Sequence, residues 1–206
     1  MKHLPAFLAA LFIVVSGVAG AADMPDVTLQ GVASGVALHI GYQGHGKRVL
    51  PETVYLKQGL MRLELKAPGE DGYVLRSDQA IWLVNEKAQV AIPMGKAGNL
   101  QRFVYDPARP CGDFPGTCEK GETKRIAGRA STGWKFRHAG NSGPDGADNG
   151  TFWIDDELGL LLGYDARDME GRALGWTVTS VTFTQLPESL FELPKAHASP
   201  TSQGHP

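Results

Sequence analysis

With 206 residues and a formal charge of −2, from 20 Lys and Arg against 22 Asp and Glu, the chain is close to electrically balanced. Its basic residues are not clustered, which excludes the electrostatic footprint of a nucleic-acid binder and the polybasic patch of a membrane-surface protein. About 185 residues remain once the leader described next is set aside, enough for one domain with its own core.

The chain begins MKHLPAFLAALFIVVSGVAGAAD. Lys2 and His3 form a short positive region, Phe7 to Val15 an apolar one, and Ala19-Gly20-Ala21 a small-residue cleavage pattern. This predicts a signal peptide over residues 1–21, cut after Ala21 or Ala22. The apolar run is short of the roughly 20 residues that span a bilayer, and no second run of that length follows. The mature chain is therefore expected to lack a transmembrane segment and to reside in the periplasm. No cysteine adjoins the cut, which argues against a lipid anchor. A single domain over residues 22–195 and a disordered tail over 196–206 complete the expected organisation. The tail segment HASPTSQGHP (197–206) has no apolar pattern.

Short alternating runs dominate the rest. GVALHIGY (35–42) puts Val36, Leu38, Ile40 and Tyr42 on one face. TVYLK (53–57) and LMRLELK (60–66) flank Gln58-Gly59 and predict a tight hairpin. Met61, Leu63 and Leu65 share one face of the second run, with Arg62, Glu64 and Lys66 on the other. YVLR (73–76), IWLV (81–84) and QVAIP (89–93) follow, separated by Ser77-Asp78-Gln79 and Asn85-Glu86-Lys87. Beyond PCGDFPGTCEKGE, the runs TKRIAGR (123–129), GWKFRH (133–138), TFWI (151–154), LLLGY (160–164) and ALGWTVTSVTF (173–183) continue the meander. AGNSGPDGADNG (139–150) reads as a long polar loop. Helical periodicity is confined to a piece around Asn99 to Tyr105 and one turn at Pro187 to Leu190. Ten or eleven strands without a βαβ unit predict an antiparallel sheet, barrel or half-barrel.

Several of these strands are apolar on both faces: Phe152-Trp153-Ile154, Leu160-Leu161-Leu162 and Ile81-Trp82-Leu83-Val84. A one-sided sheet would alternate, so something covers the second face. Either the sheet curls around its own side chains or it leaves an apolar cavity for a ligand.

Candidate chemistry is sparse. Cys111 and Cys118, the two cysteines of an exported chain, read as one local disulfide. Asp155, Asp156 and Glu157 lie where TFWI reverses into LLLGY, and with Gly159 they read as a turn. They lack the alternating ligand order of a calcium loop and the pocket that raises one pKa of a catalytic pair. Asp145, Asp148 and Asn149 offer weak calcium ligands but read first as a mobile hairpin loop. His39, His45, His138, His197 and His205 do not converge on a zinc pattern. No GxSxG, GxGxxG or P-loop is present. The sequence thus offers no catalytic residue, metal site or cofactor, and a non-enzymatic protein is expected. Arg62, between two apolar residues, reads first as an outward strand residue and second as a functional latch.

VYLKQGLMRLEL, IWLVNEKAQVAIPM, IAGRASTGWKF, TFWIDDELGLLLGYD and LPESLFELP together resemble the lipoprotein-carrier superfamily of LolA/LolB-like proteins, most of all its exported domains of unknown function. The likeness covers residues 30–195. It rests on an RxE on an early strand, a WxD turn followed by GL, and a closing LPxSLFELP. The resemblance implies a mainly β, antiparallel half-barrel (an unclosed barrel) of about ten strands, with short helix packed on the concave face. It also implies an apolar ligand: a lipid, or the acyl chain of a lipoprotein. The candidate lining residues are Arg62, Leu63, Leu65, Trp82, Val84, Trp134, Phe136, Trp153 and Leu161. The alternative is a structural or interaction module that docks a partner in an envelope complex and holds no small ligand.

Overall fold

The computed structural model describes residues 24–35, 50–67, 70–77, 80–95, 102–112 and 114–194. The expected leader, most of the 35–42 run with His39, the turn at His45 and the tail lie outside these residues. Eleven strands form: β1 (Val27–Gly35), β2 (Leu50–Lys57), β3 (Leu60–Ala67), β4 (Glu70–Arg76), β5 (Ile81–Asn85), β6 (Val90–Gly95), β7 (Thr117–Ile126), β8 (Arg129–Arg137), β9 (Asn149–Asp155), β10 (Leu161–Arg167) and β11 (Ala173–Phe183). Two 3-10 turns, Pro144–Gly146 and Glu188–Phe191, supply the helical geometry among the described residues.

All strands belong to one antiparallel sheet, ordered β6-β5-β4-β3-β2-β1-β11-β10-β9-β8-β7. Successive strands pair antiparallel, except β6 and β7, and β1 pairs with β11 in the middle of the sheet. The sheet is an open half-barrel with β6 and β7 as its two edges. The β2–β3 hairpin turns on Gln58 and Gly59, both at positive φ (45° and 84°), the twist-matched geometry for a two-residue connection. Ala127 and Gly128 do the same at 49° and 79°. They split the expected strand TKRIAGR into the end of β7 and the start of β8, because Gly128 takes the left-handed conformation without steric cost.

Cross-strand partners share a face, so the register assigns every side chain. Leu29, Val54, Leu63, Val74 and Leu83 face one another across β1 to β5. Trp134, Phe152, Tyr164, Trp176 and Ala33 continue that face across β8 to β1. These residues form one apolar cluster on the inner face of the half-barrel. The Trp176 ring lies on Gly31, where a Cβ would stand 2.3 Å from it. The β1–β11 register shifts at that glycine.

The strands that are apolar on both faces now have an explanation. On β5, Trp82 and Val84 point outward and join Tyr73 and Leu75 in a second cluster, packed against Phe191 and Leu193 of the C-terminal segment. On β9, Trp153 lies outward between Gly133 and Gly163, with the Lys124 ammonium 3.3 Å from its ring centroid. The chain itself therefore covers part of the outer face.

Candidate functional site

The chain leaves the sheet at edge β6 and re-enters it at edge β7, so the connection has to travel from one edge to the other. Of this connection, residues 102–112 and 114 are described, and Phe103, Tyr105 and Phe114 meet the inner face. Residues 102–105, within the expected helix around Asn99 to Tyr105, are extended instead. Val104 bridges Leu160, Tyr105 N–H donates to Gly159 O at 2.8 Å, and Leu161 N–H donates to Phe103 O at 2.9 Å. The slot exists because β10 and β11 pair only as far as Gly163 and Thr177, while β11 runs on beside β1 to Phe183. Three residues in such a slot alternate like a strand, which outweighs weak helical periodicity.

From the slot the segment lays aromatic rings on the inner face. Phe103 meets Trp176 edge-on at 5.4 Å, and Tyr105 lies 5.3 Å from Phe152. Phe114 lies 5.3 Å from both Phe136 and Phe152. Contacts of this geometry are worth about 0.5–1.5 kcal/mol each beyond the area they bury. Cys111 and Cys118 form the expected disulfide and tie the segment to β7. At Gly159 (φ 70°) a Cβ would fall 2.0 Å from Tyr105 O, so the close approach of the segment requires glycine there.

The nine lining candidates divide between the two faces. Leu63, Leu65, Trp134, Phe136 and Leu161 belong to the inner cluster. Trp82, Val84 and Arg62 lie on the outer face of β3 to β5, whereas Trp153, which alternates with Phe152 and Ile154 on β9, still packs against the main cluster. Arg62 is enclosed by partners. Nε donates to Glu64 Oε1 at 2.6 Å, Nη2 to Glu86 Oε1 at 3.1 Å and Nη1 to Leu190 O at 3.2 Å. Its guanidinium also stacks 3.5 Å above the Tyr73 ring. It latches the C-terminal segment to the sheet. Lys57 makes a second attachment, donating to Leu186 O at 2.6 Å and pairing with Glu188 at 2.8 Å and Asp26 at 3.5 Å.

The carboxylate turn is a turn, but not a uniformly wet one. Asp156 and Glu157 are exposed, whereas Asp155 is 1% exposed. Its carboxylate accepts two bonds from Arg129 and one each from the amides of Glu157 and Leu158. A carboxylate with that many donors holds the β9–β10 connection together.

The loop 139–150 also departs from expectation. Pro144 and Ala147 are buried, and Ala139 joins the inner cluster. Asp145 takes φ 55° and turns its carboxyl inward, where the Tyr164 hydroxyl donates to it at 3.3 Å. Burial pushes its pKa up to about 7. Asp148, the second weak calcium candidate, instead accepts the Gly140 amide at 2.8 Å. Among the described residues no three His, Cys, Asp or Glu side chains are grouped to hold a metal ion, and no helix is long and apolar enough to cross a membrane. Sequence reasoning missed Tyr105 and Phe114, and read Asp145 as part of a mobile loop with weak calcium ligands. A signal for the first two was available in the topology, since two consecutive strands at opposite edges require a crossing segment.

These features define a class: an open antiparallel half-barrel with an apolar inner face and a covering segment of its own chain. No protein-family model and no curated protein matches the sequence. Among solved structures, the chain shares its fold with an uncharacterized conserved protein from Thermus thermophilus, at TM-score 0.52 and 14% identity over 83% of this chain and 86% of that one. A LolA superfamily protein from Nitrosomonas europaea is also among the matches, with TM-score 0.34 and 8% identity over 83% and 90% of the two chains. Pseudomonas aeruginosa MucB, solved in complex with MucA, matches at TM-score 0.46 and 16% identity over 82% of this chain. There the match spans just over half of the MucB chain, 56%.

Proposed function

We propose that the protein is a periplasmic, non-enzymatic binding protein that holds an apolar ligand, a lipid or the acyl chain of a lipoprotein, against the inner face of the half-barrel. One observation carries this reading. The inner face carries one cluster of buried apolar side chains, and among the described residues what covers it over β8 to β11 is the segment of Phe103, Tyr105 and Phe114. An acyl chain on such a face is shielded from water at about 0.8 kcal/mol per buried CH₂. Export is supported by the leader-like residues 1–21.

The test is native mass spectrometry, with lipid extraction, of protein expressed with its own leader and purified from periplasm. The expected result is a mature N-terminus near residue 22 and a co-purifying acyl lipid. A consistently empty protein that also fails to take up a fluorescent fatty acid overturns the reading. A second reading, an interaction module with no small ligand, is favoured by the rings of Phe103, Tyr105 and Phe114 that already occupy part of the inner face. Its outcome in the same experiment is an empty protein that yields one defined partner on cross-linking in the periplasm.

A further inference from the structure

Resting on the binding reading above, we propose that residues 102–114 are a displaceable plug: a built-in occupant of the inner face that an unbranched acyl chain replaces on binding. The geometry that points to it is the way the segment is held. Two backbone hydrogen bonds, at Gly159 and Leu161, dock it into the slot between β10 and β11, where a strand within the sheet would make a full ladder. Beyond Tyr105 its backbone bonds turn inward on the segment itself: Arg109 N–H to Asp106 O, Gly112 N–H to Arg109 O and Phe114 N–H to Cys111 O. These bonds survive if the segment swings away as a unit. The disulfide to Cys118 on β7 keeps one end attached while the other leaves.

The shape of the vacated surface selects the ligand. The rings of Phe103, Tyr105 and Phe114 follow a row from Trp176 on β11 through Phe152 on β9 to Phe136 on β8. That row crosses three strand spacings, roughly 14 Å at about 4.8 Å each. The ring contacts follow one another along that line, which suits a slender linear chain better than a fused-ring or branched ligand. Leaving exposes aromatic surface on both plug and sheet, so the plug departs only when apolar surface of another molecule replaces it. The apparent affinity of the ligand is then set by its own contacts reduced by the small fraction of molecules with the plug out.

Two variants move that fraction in opposite directions. Val104 and Leu160 form the narrow, non-hydrogen-bonded kind of antiparallel pair, flanked by the bonds at 105–159 and 161–103. Their Cα atoms are therefore close enough for an introduced disulfide. The Val104→Cys/Leu160→Cys double variant, with pairing verified by peptide mapping, locks the plug in. Phe114→Ala removes a half-buried ring contact and loosens it. Binding of dansyl-labelled undecanoic acid is followed by fluorescence for wild type and both variants, with near-UV circular dichroism as the check on folding.

The expected result is binding weakened at least about tenfold in the locked variant and strengthened in Phe114→Ala. Binding by the folded, locked variant equal to that of wild type overturns the plug while leaving the apolar-ligand reading standing. Failure of wild type and Phe114→Ala alike to bind the probe overturns the binding reading and the plug with it. Binding by Phe114→Ala alone supports both.

Discussion

Raising the pH through neutrality should loosen the loop 139–150 from the inner face, because Asp145 is buried there as an acid. Its ordinary pKa of 3.8 rises to about 7 in the folded protein, with burial as the main cause. The Tyr164 phenol donates to it, and the Tyr105 phenol acts on Tyr164 from behind. Asp148 on the same loop bonds the Gly140 amide. The folded state binds the proton more tightly than the unfolded state, so the stability linked to Asp145 is complete below about pH 4, falls between 4 and 7, and is gone above 7. The rise from 3.8 to about 7 corresponds to about 4 kcal/mol in all, of which about 2–3 kcal/mol falls between pH 5 and 8. Urea unfolding of wild type and Asp145→Asn at pH 5, 6, 7 and 8 measures this directly. Every other titrating group is common to both proteins, so the difference between the two profiles isolates Asp145. Amide exchange at Gly143 and Ala147 should accelerate with pH in the wild type beyond the intrinsic rate. Parallel stability profiles for the two proteins across this range would refute the reasoning.

Three further outcomes test the attachments. Asp155→Ala removes two of the carboxylate bonds of Arg129 and the acceptor of two amides and should cost about 3–5 kcal/mol in chemical denaturation, whereas Glu157→Ala, an exposed partner of the same arginine, should cost under about 1 kcal/mol. Equal effects would mean that burial of Asp155 is not what holds the turn. Gly31→Ala drives a methyl into the Trp176 ring and should destabilise by about 1–3 kcal/mol with a change in near-UV circular dichroism. An unchanged spectrum counts against the ring lying on that glycine. Arg62→Ala removes a charged donor from Leu190 O, worth about 1.5–3 kcal/mol, and should speed limited proteolysis between Leu186 and Pro194. Unaltered cleavage would show that the latch does not hold the segment.

Much of the sheet was legible in the sequence because period-two alternation survives in any strand with one dry face. β11 runs over the residues read as ALGWTVTSVTF, and the Gln58-Gly59 turn has the positive φ values its composition predicts. The motifs behind the family likeness were legible too, but not their meeting. Arg62 of the RxE reaches Leu190 of LPESLFELP across 128 residues, and Gly159 of the GL pair accepts the close approach of Tyr105. Local pattern carries no information about such distances. Asp155 and Asp145 were misread for one reason. An acid in a turn reads as wet, and only the neighbours that tertiary structure brings, Arg129 for one and Tyr164 for the other, make it dry.

The inner face was the least legible part, and topology explains why. Pairing β1 with β11 places both ends of the meander in the middle of the sheet, so two consecutive strands, β6 and β7, become its outermost edges. An eleven-strand sheet with consecutive strands at opposite edges needs a connection across its mouth, and the concave side is the short way. Whatever sequence lies there has to be apolar on the side that meets the sheet and tolerant of an extended path. Phe103, Tyr105 and Phe114 meet the first requirement, and the tight turns from Asp106 to Phe114 accommodate the change of direction. The edges are protected differently. β7 carries Glu119, Lys120, Glu122, Lys124 and Arg125, charges that discourage pairing with another chain. β6 carries Pro93, which removes a donor, beside exposed Val90 and Met94. A fold that must cross its own concave face with apolar residues supplies the covering for that face, and the same residues are the ones a ligand would have to displace.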